Sequence, residues 1–353
     1  MRICVLGAGG LGSVIGGWLA ESGVDVTLVG RPAHVEAIRK NGLHLTGIRG
    51  ERVVTRLTAV THPEQASGEF DFLFVTVKAA GTPAALIDAN QLRGRVKTAL
   101  SLQNTVCKDD DLIGWIGRDH VVGASTIEGG TIVKPGVVCH TGTAPTTAYF
   151  GELDGTASSR VDSLVKAFDA AGFAARAVDD IRHVEWEKLL QISLAAVWSA
   201  STFGALGGSF SQGLHIRPAA EHYVQLAREF LSISLAMGHQ PADYYAPYSR
   251  FRDLQAWTFE EAVDAMTAIG RSMADQQLFG RPSLHDDLLR GRRTELSFSV
   301  GAWLAEADAR GLAVPTVRCA YRIVQSLEQW MVTLGGVPSE LPEKVVALGV
   351  GGT

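Results

Sequence analysis

Gly7-Ala8-Gly9-Gly10-Leu11-Gly12 follows the apolar run Ile3-Cys4-Val5-Leu6 and opens an apolar helical pattern that starts at Leu11. A GxGxxG placed between a strand and a helix is suited to a dinucleotide pyrophosphate. Gly7 permits the sharp turn, Gly9 lets backbone approach the phosphates, and Gly12 allows close helix–strand contact. Free N–H groups at the helix start, around Gly10 and Leu11, receive the negative charge. The competing reading is a purely structural turn in a glycine-rich chain. At the end of the next strand, where an acidic residue would accept the ribose hydroxyls of NAD, the sequence runs Val29-Gly30-Arg31. A guanidinium cannot accept those bonds but can meet a 2′-phosphate, so NADP(H) is expected over NAD(H). Lys78, after the Phe72–Val77 run, is a second candidate for that phosphate rim. Lys188 is a third residue of interest, because it heads a long uncharged stretch where a cleft between two domains would lie. By residue type alone it is an ordinary surface lysine.

These residues need a scaffold, and the chain changes grammar along its length. Short apolar runs alternate with helical patterns: strands at 3–6, 25–29, 72–77, 98–102 and 121–125, helices at 11–21 and 33–41. Extended stretches are expected at 131–138 and 147–150, a helix at 158–171 and a last strand near 174–178. After Asp179-Asp180 only helices are predicted, at 184–203, 216–237, 258–275, 294–310 and 315–334. The expected class is α/β, with an N-terminal Rossmann-type dinucleotide-binding domain over residues 1–180 and an all-α C-terminal domain over 181–337. Residues 338–353 read as a Gly/Pro-containing tail.

Composition excludes several function classes. The 353 residues are 46% hydrophobic and 20% charged, ordinary globular usage that argues against disorder. Thirty-seven acidic against 32 basic residues leave a formal charge of −5, so no broad attraction to nucleic acid or anionic membrane is expected, and small molecules are the expected class of partner. Cys4, Cys107, Cys139 and Cys319 lie far apart without zinc-finger spacing and read as reduced thiols. The apolar run at the amino terminus is too short for a signal peptide, which gives a cytoplasmic expectation. Leu189 to Leu214 carries no charge, yet its serines, glutamines and glycines favour a buried helix over a membrane span. The helices at 216–237 and 315–334 could bury a homodimer interface or pack internally.

The chain resembles the ketopantoate reductase (2-dehydropantoate 2-reductase) family over nearly its whole length. The likeness lies in three blocks: GAGGLG with Arg31 and Lys78; Leu102-Gln103-Asn104; and Trp186-Glu187-Lys188-Leu189 together with Ser283-Leu284-His285-Asp286-Asp287 and Gly291-Arg292-Arg293-Thr294-Glu295. The resemblance implies NADPH-dependent reduction of a 2-oxo acid to a 2-hydroxy acid. It makes Lys188 the proton donor to the substrate carbonyl oxygen, places Asn104 between nicotinamide ribose and substrate, gives Ser283 to the substrate carboxylate and Glu295 to the cofactor. A buried ammonium suits that role, since hydride arriving at carbon leaves negative charge on oxygen. Desolvation would lower its pKa and a neighbouring carboxylate would raise it.

The family's asparagines four and eight residues beyond the lysine are here Ile192 and Ala196, and Thr105 stands where a glycine usually follows the loop asparagine. Losing polar donors from the substrate wall points away from ketopantoate itself and toward a less polar or bulkier 2-oxo acid, one that Trp198 and Trp257 could pack against. Two other readings remain: a reductase or dehydrogenase of the same architecture acting on another ketone, imine or secondary alcohol, and a non-catalytic NADP(H)-sensing protein. His183, Glu185 and Glu187 suggest a metal by residue type, but only 183 and 187 share a helical face and no third ligand is obvious, so no metal is expected. His285 reads as a helix-capping residue beside Ser283, and Asp109-Asp110-Asp111 as a helix start whose carboxylates suit the dipole.

Overall fold

The computed structural model describes residues 1–142, 144–278 and 280–336, so the expected tail lies outside the described residues. In chain order the first half contains β1 (Arg2–Leu6), α1 (Gly10–Glu21), β2 (Asp25–Val29), α2 (Pro32–Asn41), β3 (Leu43–Gly47), β4 (Arg52–Val54), β5 (Thr58–Val60), β6 (Phe70–Val75), α3 (Thr82–Asp88), β7 (Val96–Ser101), α4 (Lys108–Ile116), β8 (Val122–Thr126), β9 (Gly129–Lys134), β10 (Val137–Thr141), β11 (Ala148–Glu152), α5 (Ser159–Ala170) and β12 (Ala175–Ala177). Helices follow: α6 (Ile181–Phe203), α7 (Phe210–Gly213), α8 (Arg217–Ala236), α9 (Phe251–Ala256), α10 (Phe259–Asp275), α11 (Ser283–Leu289), α12 (Val300–Ala309) and α13 (Pro315–Leu334).

Five parallel strands in the order β5-β2-β1-β6-β7 form the main sheet. Strand order reverses beside β1, so the loops after β1 and β6 diverge and open a crevice at the carboxyl edge. Near-continuous apolar runs explain the parallel arrangement, since both faces are covered: Ile3, Val5, Phe72 and Phe74 pack toward one core, Cys4, Leu6, Leu73 and Val75 toward another. Beside it lie a four-stranded sheet, β4-β3-β10-β9, and a three-stranded one, β12-β11-β8. The stretch expected to be extended at 131–138 is in fact a hairpin, in which Gly136 at φ +78° turns β9 into antiparallel pairing with β10. Strands β3, β4 and β5 were not anticipated. Two of them are only three residues long, too short for a two-residue period to register.

Helix termini follow their side chains. The Ser158 hydroxyl accepts from the Val161 N–H at the start of α5, the Asp180 carboxylate accepts from the His183 N–H at the start of α6, and Thr258 with Glu261 forms a capping box on α10. The helix expected over 294–310 begins only at Val300, because Thr294 turns its hydroxyl to Glu328 and Ser299 turns its own back to the Glu295 carbonyl. Helix α6 is long and apolar enough to cross a bilayer by length and composition alone, and half of that window is buried within the protein. Leu190, Leu194, Val197 and Trp198 on α6 meet Val224 and Phe230 of α8 and Val317 and Val324 of α13 in one apolar cluster.

Candidate active site

Each element of the glycine loop can be assigned a physical reason. Gly7 sits at φ +116°, and a Cβ there would lie 2.7 Å from the Val77 nitrogen. A Cβ on Gly12 would come within 2.3 Å of the Gly7 carbonyl oxygen, so α1 packs backbone against backbone on the turn below it. Gly10 is required by a neighbour that sequence reasoning missed: its Cβ would fall 1.8 Å from the carbonyl oxygen of Gly130 at the start of β9. Gly9 differs. Its Cβ would meet nothing nearer than the Gly7 oxygen at 3.9 Å, so no protein atom calls for glycine there. No side chain caps α1, and the first N–H groups of that helix, Gly10, Leu11 and Gly12, face outward from its end. An open cradle with free donors and a positive helix dipole fits a pyrophosphate. Arg31 stands exposed at the N-cap of α2, immediately beyond β2, with no carboxylate paired to it among the described residues.

A narrow cleft opens between the β7–α4 loop, the end of β8 and one face of α6. Asn104, Ser125, Thr126, Lys188 and Ile192 line it. Gln103 braces the loop: its amide donates to the Val77 carbonyl and the Thr82 hydroxyl, both at 2.7 Å, while its oxygen accepts from Ser101. Asn104 is thereby presented to solvent at the rim.

Lys188 reaches the cleft from the second turn of α6, with its ammonium 5.8 Å from the centre of the Tyr245 ring. The two adjacent carboxylates are both engaged elsewhere. Glu187 accepts N–H bonds from Ala242, Asp243 and Tyr244 at 2.7–3.2 Å. Glu185 pairs with Lys108 and also accepts from the Ala124 N–H at 3.1 Å. Among the described residues no carboxylate pairs with Lys188, so desolvation decides and lowers its pKa to about 8. Burial, and then the neighbouring Asp109 carboxylate, push Glu185 up, while Lys108 and Arg182 favour its charged form.

Of the residues expected from sequence, Asn104, Lys188 and Ile192 come together in this cleft, and Gly7, Gly9, Gly10, Leu11 and Gly12 lie at the carboxyl edge of the main sheet. Lys78 is engaged: its ammonium pairs with Asp287 of α11. Glu295 accepts the Ala79 N–H at 2.8 Å, so two acidic residues of the helical half grip the loop after β6. Ser283 is the exposed first residue of α11 and does not line the cleft. Ala196 lies a turn deeper than Ile192, 4% exposed, inside the helical core. Neither tryptophan faces the cleft. Trp198 is wholly buried, stacks on Phe210 at 4.8 Å and donates to the Ala219 carbonyl, whereas Trp257 packs beneath the Arg250 guanidinium. His285 is no cap for its own helix: its ring joins the Ser199 hydroxyl to the Gly204 carbonyl, both at 2.8 Å, and so ties α11 to α6. Asp180, His183 and His239 gather their ligand atoms within 4.8 Å. Tetrahedral zinc, with bonds of about 2.0–2.1 Å, would hold those atoms about 3.4 Å apart. A helix cap and a stacked imidazole pair account for the group without a metal.

Sequence reasoning missed Lys108 and Tyr245, and considered Glu185 only as a metal ligand. Lys108 opens the acidic turn of α4, and a lysine beside three aspartates was the only local signal. Its decisive partner lies 77 residues away.

Residues 3–155 match the family described as Ketopantoate reductase PanE/ApbA, and residues 180–328 match its C-terminal part. The chain is 27% identical over 327 residues to a 2-dehydropantoate 2-reductase of Archaeoglobus fulgidus, covering 93% of this chain and 98% of that one. It is 25% identical to the uncharacterized oxidoreductase YkpB of Bacillus subtilis over 93% of this chain and 99% of the other. Among solved structures, a PanE/ApbA family ketopantoate reductase from Ralstonia eutropha superposes with TM-score 0.74 at 25% identity, over 94% of this chain and 99% of that one. A D-mandelate dehydrogenase holding NADH and anilino(oxo)acetate gives TM-score 0.74 over 94% of this chain and 99% of the other, and at 19% identity shows a shared fold alone. With both parts of the family matched across most of its length, this chain belongs to the ketopantoate reductase family.

Proposed function

We propose that the chain reduces a 2-oxo acid to the 2-hydroxy acid with NADPH, and that Lys188 protonates the developing alkoxide. The observation that carries this reading is an ammonium without a carboxylate partner, lowered by desolvation, at the wall of a cleft. When bound, reduced nicotinamide supplies the hydride. The chain's own residues do the rest: the α1 N-terminus and Gly9 receive the pyrophosphate, Asn104 fixes the cofactor–substrate approach, and Lys188 stabilises the oxygen's charge and delivers its proton. The carboxyl edge of the sheet and the cleft lie at the same end of β1 and β7, as in open α/β sheets generally.

Ile192 sets the substrate class. With an isoleucine where the family's lysine helix carries an asparagine, a hydroxylated side chain would lose a hydrogen-bond partner, at a cost of about 1–3 kcal/mol. The proposed substrates are therefore 2-oxo acids with branched or aryl substituents. A D-mandelate dehydrogenase of the same fold, which holds anilino(oxo)acetate, gives that class a precedent. NADPH oxidation followed by absorbance across ketopantoate, branched and aryl 2-oxo acids, and ketones without a carboxylate tests this directly. Turnover confined to compounds without a 2-carboxylate would support the second reading, a reductase for other ketones or imines.

Two further results are expected here. Arg31→Glu should lower the preference for NADPH over NADH by about tenfold to a hundredfold, the worth of one lost charge-assisted bond, read as the ratio of kcat/KM values. An unchanged ratio would remove Arg31 from the 2′-phosphate. The reaction consumes a proton from an ammonium, so kcat/KM for reduction should stay level below about pH 8, the pKa of Lys188, and fall as pH rises through it. A profile flat to well above that point would exclude an ammonium of lowered pKa as the donor.

A further inference from the structure

Lys108 and Lys188 both line the cleft, and their surroundings differ sharply. Lys108 is 2% exposed, with Asp109 at 3.1 Å and Glu185 in contact. Lys188 has no such partner, although Glu185 precedes it by three residues on α6, a spacing at which oppositely charged side chains readily meet. Considered as a helix by itself, α6 would pair Glu185 with Lys188. In the folded chain Glu185 is drawn away by the Lys108 ammonium of α4, by the Ala124 N–H of β8 and, at its second oxygen, by Arg182 at 3.8 Å. Arg182 is already shared with Asp109 at 3.4 Å and Asp110 at 3.2 Å, so it cannot fully replace Lys108.

We propose that Lys108 is a positioning residue: by holding Glu185 against β8 it keeps that carboxylate off Lys188 and so sets the proton affinity of the donor. The proposal rests on the reading of Lys188 as proton donor. Four buried or half-buried charges at one junction make a costly arrangement, since ion pairs removed from water rarely improve stability over apolar groups of equal size. These charges pair with one another, and desolvation by burial is what lowers Lys188. The charged residues that line the cleft with Lys188 are Glu185 on its own helix and Lys108 on α4; Gln103, Asn104, Thr105, Ser125 and Thr126 are uncharged, and the Tyr245 ring lies 5.8 Å from the ammonium. Tyr245 is held neutral by burial, its hydroxyl donating to Ser125 at 2.8 Å. Removing Lys108 therefore leaves Glu185 to Arg182, which is already shared with two aspartates, and to Lys188 three residues further along α6.

Competitive acetylation of Lys188 across a pH series, read by mass spectrometry, follows its proton affinity without assuming a role in turnover. In Lys108→Met the half-point is expected to rise by about one pH unit or more, a tenfold gain in proton affinity. In Lys108→Met/Glu185→Gln it should return to within about 0.3 unit of the parent, and in Glu185→Gln alone it should fall by at least about 0.3 unit. The alkaline limb of kcat/KM moves in step with each. A Lys108→Met chain whose Lys188 half-point stays in place overturns the proposal, as does a double variant that remains shifted. Where Lys108→Met does not fold, Glu185→Gln carries the test, and an unmoved or raised half-point overturns it. If the labelling shifts as expected while the kinetic limb does not, Lys188 is not the donor, and the positioning by Lys108 still stands.

Discussion

Lys188→Met is expected to lower kcat for the best 2-oxo acid by about 10²–10⁴, the usual worth of a positioned general acid, while NADPH binding by fluorescence titration changes less than about threefold. The split follows from geometry. On the proposed reading the cofactor's phosphates rest on the glycine loop and the start of α1, whereas the Lys188 ammonium lines the cleft beside the Tyr245 ring. Methionine preserves the stem and removes both charge and proton. Lys188→Arg separates those two contributions: a guanidinium keeps the charge but does not release a proton near neutral pH. Partial recovery in the arginine variant, with the alkaline limb gone, would show that charge stabilises the alkoxide and that proton transfer limits the remainder. Full turnover in Lys188→Met would remove Lys188 as the proton donor, whereas NADPH binding without turnover on any of the compounds in the parent chain would favour the NADP(H)-sensing alternative.

How much of this was legible beforehand divides along the range of the interactions. The glycine loop, the alternating first half, and the helices that begin at Ile181 arise from contacts within one or two elements, and periodicity reports those. The family likeness located Lys188 and Asn104, which meet in the cleft. What escaped was set by partners distant in sequence. Gly10 is glycine because of Gly130, Lys108 is buried because of Glu185, and Lys78 is held by Asp287, 209 residues away. Trp198 and Ala196 were expected at the substrate. Both lie on α6, but on the side that meets α8 and the helical core. Beyond Lys188 the helix carries no charged residue and so little directional pattern, and its sequence could not tell which face met the cleft. The balance at Lys188 was equally hidden: desolvation prevails only because Glu185 and Glu187 are each taken up by groups from other elements.

The two adjacent glycines of the loop should separate under the same small substitution. Gly10→Ala places a methyl carbon where the Gly130 carbonyl oxygen stands, 1.8 Å from it, and backbone cannot swing aside as a side chain can. Either α1 or β9 must shift, at a cost of roughly 1–3 kcal/mol or more, and a melting point lower by several degrees is expected even without ligand. Gly9→Ala meets no protein atom nearer than 3.9 Å, at a φ of −84° that any L-residue adopts. Its apo stability should stay within about 1 kcal/mol of the parent. The new methyl occupies the open cradle instead, so NADPH affinity should fall at least about tenfold as the pyrophosphate is pushed off the N–H groups of α1. Thermal melts with and without NADPH read both effects at once: Gly10→Ala lowers the apo melt, and Gly9→Ala removes the ligand-induced rise. A Gly9→Ala chain that still gains the full rise would show that the dinucleotide lies elsewhere. The assignment of this loop to the cofactor would then fail, whatever Lys188 does.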